Sequence, residues 1–307
     1  MPLTLADNVV ARREALKGHA AMLLFALAIS VSFSLGDRAA ELIAPEALNA
    51  VRFLIASAIL GLAAALGPGL RRAQLAAPWR YPLMGGIFAA YFILMFVALR
   101  LTDPVSVSAV FTLTPVMAAA FGWLLLRQAA TPRTLSALAL GAVGAVWVIF
   151  KADLDRLMAL EVGPGEAIFV VGCAAHALYT PLVRRLNRGE APLAFSFWTT
   201  TGTFAAVAAV AAATGTLWRT DWTALPPVVW IAVLYLAAGA SALTIFLVQF
   251  ATMRLPSAKV MAYGYLVPSF VALWEALFGD GPPGPWVLAG VAITAVAMLL
   301  LLAQDRA

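Results

Sequence analysis

The sequence predicts an all-α polytopic membrane protein with ten transmembrane helices, formed by two five-helix repeats inserted in opposite directions. Three observations carry that prediction. Of the 307 residues, 63% are hydrophobic and 11% are charged, with a mean hydropathy of +0.94, which is more apolar surface than a water-soluble core of this length can hide. Apolar runs of about 20 residues, the length a bilayer core requires, recur with short polar breaks along the whole chain. The second five runs repeat the order of the first five, with Pro115 and Pro268 in matching places.

The first five spans run near His19 to Leu35, Ala47 to Leu66, Tyr81 to Leu101, Pro104 to Leu126 and Pro132 to Phe150. The second five run near Pro164 to Leu182, Pro192 to Thr214, Pro227 to Met253, Ser257 to Gly279 and Pro285 to Ala303. Most breaks carry proline or glycine, as in Gly67-Pro68-Gly69, Gly163-Pro164-Gly165 and Gly281-Pro282-Pro283-Gly284-Pro285, where a helix stops and turns. The runs are long and do not alternate, so they read as helices and not as barrel strands.

Lys and Arg near span ends are retained on the cytoplasmic side. With the N-terminus inside, fourteen of the 20 basic residues fall there: Arg12, Arg13, Lys17, Arg71, Arg72, Arg80, Arg127, Arg133, Arg184, Arg185, Arg188, Arg254, Lys259 and Arg306. The opposite side holds Arg38, Arg100, Lys151, Arg156 and Arg219, and Arg52 lies inside a span. The expectation is therefore a multi-pass membrane protein with both termini cytoplasmic. Residues 1–18 form a cytoplasmic lead, 19–151 the first repeat, 152–303 the second and 304–307 a cytoplasmic tail. The first span keeps its basic lead, because no small-x-small cleavage site separates it from Asp37-Arg38. Membrane orientation accounts for the net charge of +5, and no basic stripe interleaved with aromatics calls for a nucleic acid.

An offset of 153 residues superposes Pro115 on Pro268, Pro132 on Pro285, Leu113 on Leu266, Ala119 on Ala272 and Leu124 on Leu277. Five spans is an odd number, so the halves lie upside down relative to each other. Two halves with near-equal packings can expose a shared midplane compartment to alternate sides, which makes small-molecule transport the leading functional reading. Pro115 and Pro268 interrupt spans four and nine in corresponding places, the pattern that points to a midplane site and its gating; each also reads as a plain packing kink.

Polar residues inside spans are costly unless they face the protein interior. Arg52 and Glu275 are the charged candidates, open to a structural pairing or to a substrate or proton role. His176 and Tyr179 share one helical face, and His176 suits either a ligand or a helix-to-helix hydrogen bond. Tyr263 and Tyr265 flank Gly264, and Tyr91, Trp123 and Gln249 add amphipathic groups for a cavity that would hold an organic solute. Spans one, three, four, six, eight and nine would line that cavity. Spans five and ten, with Gly141, Gly144 and Gly290, would pack or form a homodimer. Trp79, Trp222, Trp230 and Trp286 read as bilayer-interface residues.

Cys173 has no second cysteine to pair with, so it reads as a buried inert thiol. There is no catalytic constellation, metal set or cofactor motif, so an intramembrane enzyme is not expected, and a channel would need a repeated filter or charged ring. The partners implied are a small-molecule substrate and the lipid bilayer, with a coupling proton or ion left open.

Ala50-Val51-Arg52-Phe53 opening span two, Leu113-Thr114-Pro115-Val116 in span four and Trp274-Glu275-Ala276-Leu277-Phe278-Gly279-Asp280 together resemble the two EamA repeats of the drug/metabolite transporter superfamily, over about residues 19 to 303. The resemblance implies a bacterial inner-membrane carrier that exports amino acids or related metabolites, with drugs or nucleobase-type metabolites as alternatives. The membrane-embedded Glu that drives proton exchange in the four-helix members of that superfamily has no counterpart in span one.

Overall fold

The computed structural model describes residues 5–150, 153–159, 162–278 and 284–303. Expectations on Lys151, Asp280, Arg306, the tail 304–307 and the side chains of Arg156 and Trp286 lie outside the described residues. Among the described residues ten long helices follow one another, besides short helical turns at Arg72–Ala76, Leu154–Ala159 and Thr216–Arg219: α1 Leu5–Ala40, α2 Pro45–Leu66, α3 Arg80–Leu99, α4 Pro104–Leu126, α5 Pro132–Ile149, α6 Pro164–Leu186, α7 Pro192–Ala213, α8 Pro227–Thr252, α9 Ser257–Phe278 and α10 Pro285–Ala303. Eight are long and apolar enough to cross a membrane, and α5 and α10 complete the ten. Proline stands at the first turn of α2, α4, α6, α7 and α8, where its missing N–H has no intrahelical partner to lose. At α4 the cap is also polar, since the Asp103 carboxylate accepts from the Ser106 backbone N–H at 2.8 Å. α1 begins within the lead and runs through Gly18 into the first span without a break.

Three contacts fix which ends share a membrane face. Arg80 at the start of α3 pairs with Glu190, just before α7, at 2.7 Å. Arg254, just after α8, pairs with Glu14 in α1 at 2.8 Å. On the opposite face, Thr102 after α3 donates to Glu166 in the first turn of α6 at 2.7 Å. The first repeat therefore begins at the face of Glu14, here called the basic face, and the second begins at the other. The two repeats are inverted.

Three of the helices are interrupted. α4 consists of Pro104–Phe111 and Thr114–Leu126. Pro115 has no N–H for the Phe111 carbonyl four residues back, and the Thr114 hydroxyl bonds that carbonyl instead, at 2.7 Å. α9 breaks at the corresponding place, where Tyr263–Leu266 forms a 3₁₀ turn before Val267–Phe278. The Gly264 carbonyl, four residues before Pro268, takes its bond from the Val267 N–H. In α8, which carries no internal proline, Ala238–Leu243 winds as a π-helix.

In lipid, helices associate by close packing and buried hydrogen bonds, not by hydrophobic exclusion from water. Gly85 of α3 lies against the Gly202 and Thr203 backbone of α7 so closely that an added Cβ would collide with it. Gly144 of α5 meets α10 in the same way, since a Cβ on it would come within 2.8 Å of the Gly290 carbonyl oxygen. These glycines therefore serve the α5–α10 contact within the chain. Leu54, Leu62, Ile231, Leu234, Leu273 and Leu277 face outward, each about half exposed or more, as lipid-facing residues do.

Candidate functional site

Helices α1, α3, α4 and α6 converge on His176, near the middle of α6. Its ring centroid lies 4.4 Å from Tyr91, 5.3 Å from Phe111, 5.4 Å from Phe88 and 6.3 Å from Phe25. These rings form a cage around the imidazole. Phe88 and Tyr91 are one helical turn apart on α3, and Phe25 and Phe111 enter from α1 and from the end of the first piece of α4. His176 is 1% exposed, and neither ring nitrogen has a hydrogen-bond partner among the described residues. The Tyr91 hydroxyl is likewise buried and unpartnered among them.

One turn along α6, Tyr179 stacks on Phe88 at 4.3 Å and 20° and opens a second, fully bonded cluster. Gln249 of α8 donates from Nε2 to the Tyr179 hydroxyl at 2.8 Å and to Thr199 Oγ1 at 2.9 Å, while Ser196 donates to Gln249 Oε1 at 3.0 Å. Cage and amide cluster are contiguous through Tyr179, and both repeats contribute to them. Tyr263, in the 3₁₀ turn of α9, places its hydroxyl 2.9 Å from His19 Nδ1 of α1.

Other residues expected at the site lie elsewhere. Tyr265 turns away to α5, where its ring covers Gly141 and its hydroxyl donates to the Leu138 carbonyl at 3.1 Å. Trp123 is 55% exposed on the outer surface, 5.9 Å from the Arg127 guanidinium, a bilayer-interface position. The reason is geometric: the second piece of α4 presents this face to lipid, while the first piece carries Phe111 inward. Glu275 sits half-buried at the face opposite the basic one, where Asp37, Glu41 and Asp103 also gather. Pro115 and Pro268 mark the two helix breaks and touch the site through Phe111 and Tyr263, not directly.

Arg52 is fully buried. Its Nε donates to Ser241 Oγ at 2.5 Å and its Nη2 to the Ala240 carbonyl at 2.9 Å, both in the π-helical turn of α8. Its guanidinium stands 4.2 Å from the Phe92 ring centroid, and Phe92 packs on Tyr91 and Phe88 at 4.6 and 4.9 Å. Arg52 thus borders the cage from behind one ring. Cys173 is buried, with its thiol 3.6 Å from the Val110 carbonyl.

The compartment expected between the halves is closed in this conformation. Phe25, Phe88, Tyr91, Phe111, His176 and Tyr179 are all between 0% and 3% exposed, so rings occupy the space a guest would need. A cavity of about 740 Å³ lies to one side, at the basic face, between the α4–α5 loop and the start of α9, with Gln128, Arg133 and Lys259 in its lining. Outside the membrane, the Arg80–Glu190 pair closes the basic end of α3. Burial works to raise the Glu190 pKa, but hydrogen bonds from Arg80 and the Arg188 backbone outweigh it and hold the carboxyl below its ordinary range.

The residues that sequence reasoning missed are Phe25, Phe88, Phe111, Ser196, Thr199, His19 and Ser241. Phe88 one turn from Tyr91 and the Ser196/Thr199 pair inside an apolar run were the available signals. His19 and Ser241 meet their partners only through tertiary packing.

The profile of the EamA-like transporter family matches residues 16–150 and 163–303, one match in each repeat. The chain is similar to the "Uncharacterized transporter YyaM" of Bacillus subtilis (strain 168), 25% identical over 181 residues, which are 58% of this chain and 59% of that relative. The match thus spans less than two thirds of the relative's length. A solved crystal structure shares the fold at a TM-score of 0.71 and 22% identity, over 96% of this chain and 98% of that one.

Proposed function

Because the chain belongs to the EamA-like transporter family, we propose that it is a secondary transporter that moves a small amphipathic metabolite outward across the cell inner membrane by alternating access. Amino acids, aromatic ones first, are the leading substrates. One observation carries the reading. Inverted repeats jointly build a buried aromatic cage at mid-helix, continued toward the basic face by the amide cluster of Gln249, Ser196 and Thr199, and each repeat contributes a broken helix, at Phe111 to Pro115 and at Tyr263 to Pro268. Broken helices at corresponding positions are where such carriers place their sites.

Opening toward the basic face, assigned to the cytoplasm by its Lys and Arg content, would part Arg80 from Glu190 and Arg254 from Glu14. Opening toward the other face would part Thr102 from Glu166 and the Trp274 indole from Ser30 Oγ, which lie 2.9 Å apart. Three of these links join one repeat to the other, and Arg254–Glu14 joins the second repeat to the lead of α1. Ring rotation around His176 would then make room for the solute.

The test is counterflow in liposomes holding the purified chain and loaded with unlabelled aromatic amino acid. Uptake of labelled amino acid that saturates and depends on the internal load supports the carrier. Flux that rises linearly with concentration and ignores the load sinks it in favour of a pore.

A further inference from the structure

We propose that the cage selects a net-neutral, ring-bearing solute that presents one hydrogen-bond donor and one acceptor side by side, and that it rejects organic cations. This rests on the carrier reading above and names the solute class of the same site. Three buried polar atoms meet there without partners among the described residues: His176 Nδ1, His176 Nε2 and the Tyr91 hydroxyl. Leaving such groups unbonded is costly, so a guest able to bond them has an advantage over one that merely fills the space.

The kind of guest follows from the donor inventory. A neutral imidazole has one donor and one acceptor in either tautomer, and a phenol hydroxyl serves as both. A carboxylate only accepts and an ammonium only donates, so either alone leaves an imidazole nitrogen bare. The paired ammonium and carboxylate of an amino acid, or the lactam edge of a heterocycle, supplies both partners. The faces of Phe88, Tyr91 and Phe111 offer a flat ring its apolar contacts.

Charge decides against cations. Aromatic faces alone would attract one. Here Arg52 already stands over Phe92, and its hydrogen-bond partners among the described residues are the Ser241 hydroxyl and the Ala240 carbonyl, not a carboxylate. Neither nitrogen of His176 is bonded to a carboxylate or to any other group among the described residues. A cation entering the cage would therefore meet a like charge one aromatic ring away, behind Phe92, in a low dielectric, with no opposite charge among these groups to offset it.

Thermal-shift titration of the purified full chain with tryptophan, thymine, tryptamine, indole-3-propionate and tetraphenylphosphonium tests the proposal. Tryptophan or thymine is expected to bind at least about tenfold more tightly than tryptamine or indole-3-propionate, the ratio one lost charged or buried hydrogen bond produces. Tetraphenylphosphonium is expected to give no shift. His176→Phe keeps an aromatic ring but removes both nitrogens and should weaken the preferred ligand at least about tenfold, and Tyr91→Phe, which removes one hydroxyl, should weaken it about tenfold. Tryptamine or tetraphenylphosphonium binding as tightly as the neutral compounds overturns the proposal, as does indifference to His176→Phe or no binding by either neutral compound. Counterflow of the same compounds separates the two readings: saturable exchange of tetraphenylphosphonium keeps the carrier and sinks this selectivity, whereas tight tryptophan binding without exchange does the reverse.

Discussion

Arg52 of α2 donates to the Ala240 carbonyl of α8 at 2.9 Å, inside the one π-helical turn among the described residues. A π turn widens the helix and displaces carbonyls from the regular ladder. The Ala240 carbonyl collects both the Arg52 guanidinium and the Thr244 hydroxyl, the latter at 2.9 Å. The distortion of α8 and the burial of Arg52 are therefore one feature: each supplies what the other lacks.

Replacing Arg52 by Ala removes two hydrogen bonds and leaves a void among Phe53, Phe92 and Phe96. The expected loss is about 3 kcal/mol of stability, read as a lower melting temperature in detergent, with Arg52→Lys intermediate because it cannot span both acceptors. A melting temperature equal to wild type for Arg52→Ala would show that α8 holds its π turn unaided.

Glu190 and Arg80 form a pair whose side chains are 5% and 2% exposed. Breaking a buried pair strands the remaining charge, so Glu190→Gln should cost about 3 kcal/mol at neutral pH. The Glu190 pKa is depressed in the folded protein, so its contribution is fully present above the ordinary carboxylate range near pH 4.5 and fades as pH falls through the folded value. The gap between wild-type and variant melting temperatures should stay constant from pH 7 to pH 5.5 and narrow only as the pH is taken below about 4.5. A gap that persists unchanged to the acid limit of the folded protein contradicts the assignment.

At the α3–α7 crossing, Gly85→Ala places a methyl group on the Gly202 backbone. Backbone cannot yield as a side-chain tip does, so the yield of monodisperse protein should fall severalfold. Gly86→Ala, which points into open space, serves as the control and should express normally. Equal yields would mean the helices can separate without harm.

Pro268→Ala restores the missing N–H beside the 3₁₀ turn and should let α9 run straight. Turnover in counterflow should fall more than apparent affinity, because the broken helix positions Tyr263 without contacting solute. Unchanged turnover would assign the proline to packing alone.

Single cysteines at Arg71 and Asp221, both exposed and on opposite faces, should react with a membrane-impermeant thiol reagent from opposite sides. Arg71→Cys is expected to label only in inverted vesicles and Asp221→Cys only in intact cells, with buried Cys173 silent in both. The opposite pattern reverses the orientation proposed from the basic residues.

Much of the architecture was legible because lipid imposes it. Span length, basic flanks and the Pro115/Pro268 correspondence are one-dimensional signals, and they led to the ten helices and their inversion. The breaks in α4 and α9 follow directly from prolines that delete a named donor. The π turn in α8 carries no such mark: Ala238-Gly239-Ala240-Ser241-Ala242-Leu243 reads as ordinary small-residue helix, and only Arg52, nearly two hundred residues earlier, explains it. Which way a ring points was equally illegible. Tyr263 and Tyr265 flank one glycine, yet the first reaches α1 and the second α5, because a 3₁₀ turn separates neighbours by about 120° per residue.

The ring packing around His176 also bears on what the protein does while idle. Its four neighbouring rings and the imidazole itself are at most 3% exposed, so at this level of the bundle the described residues leave hydronium or sodium no wet passage between α1, α3, α4 and α6. Cells that make much of this protein should keep their electrical gradient intact.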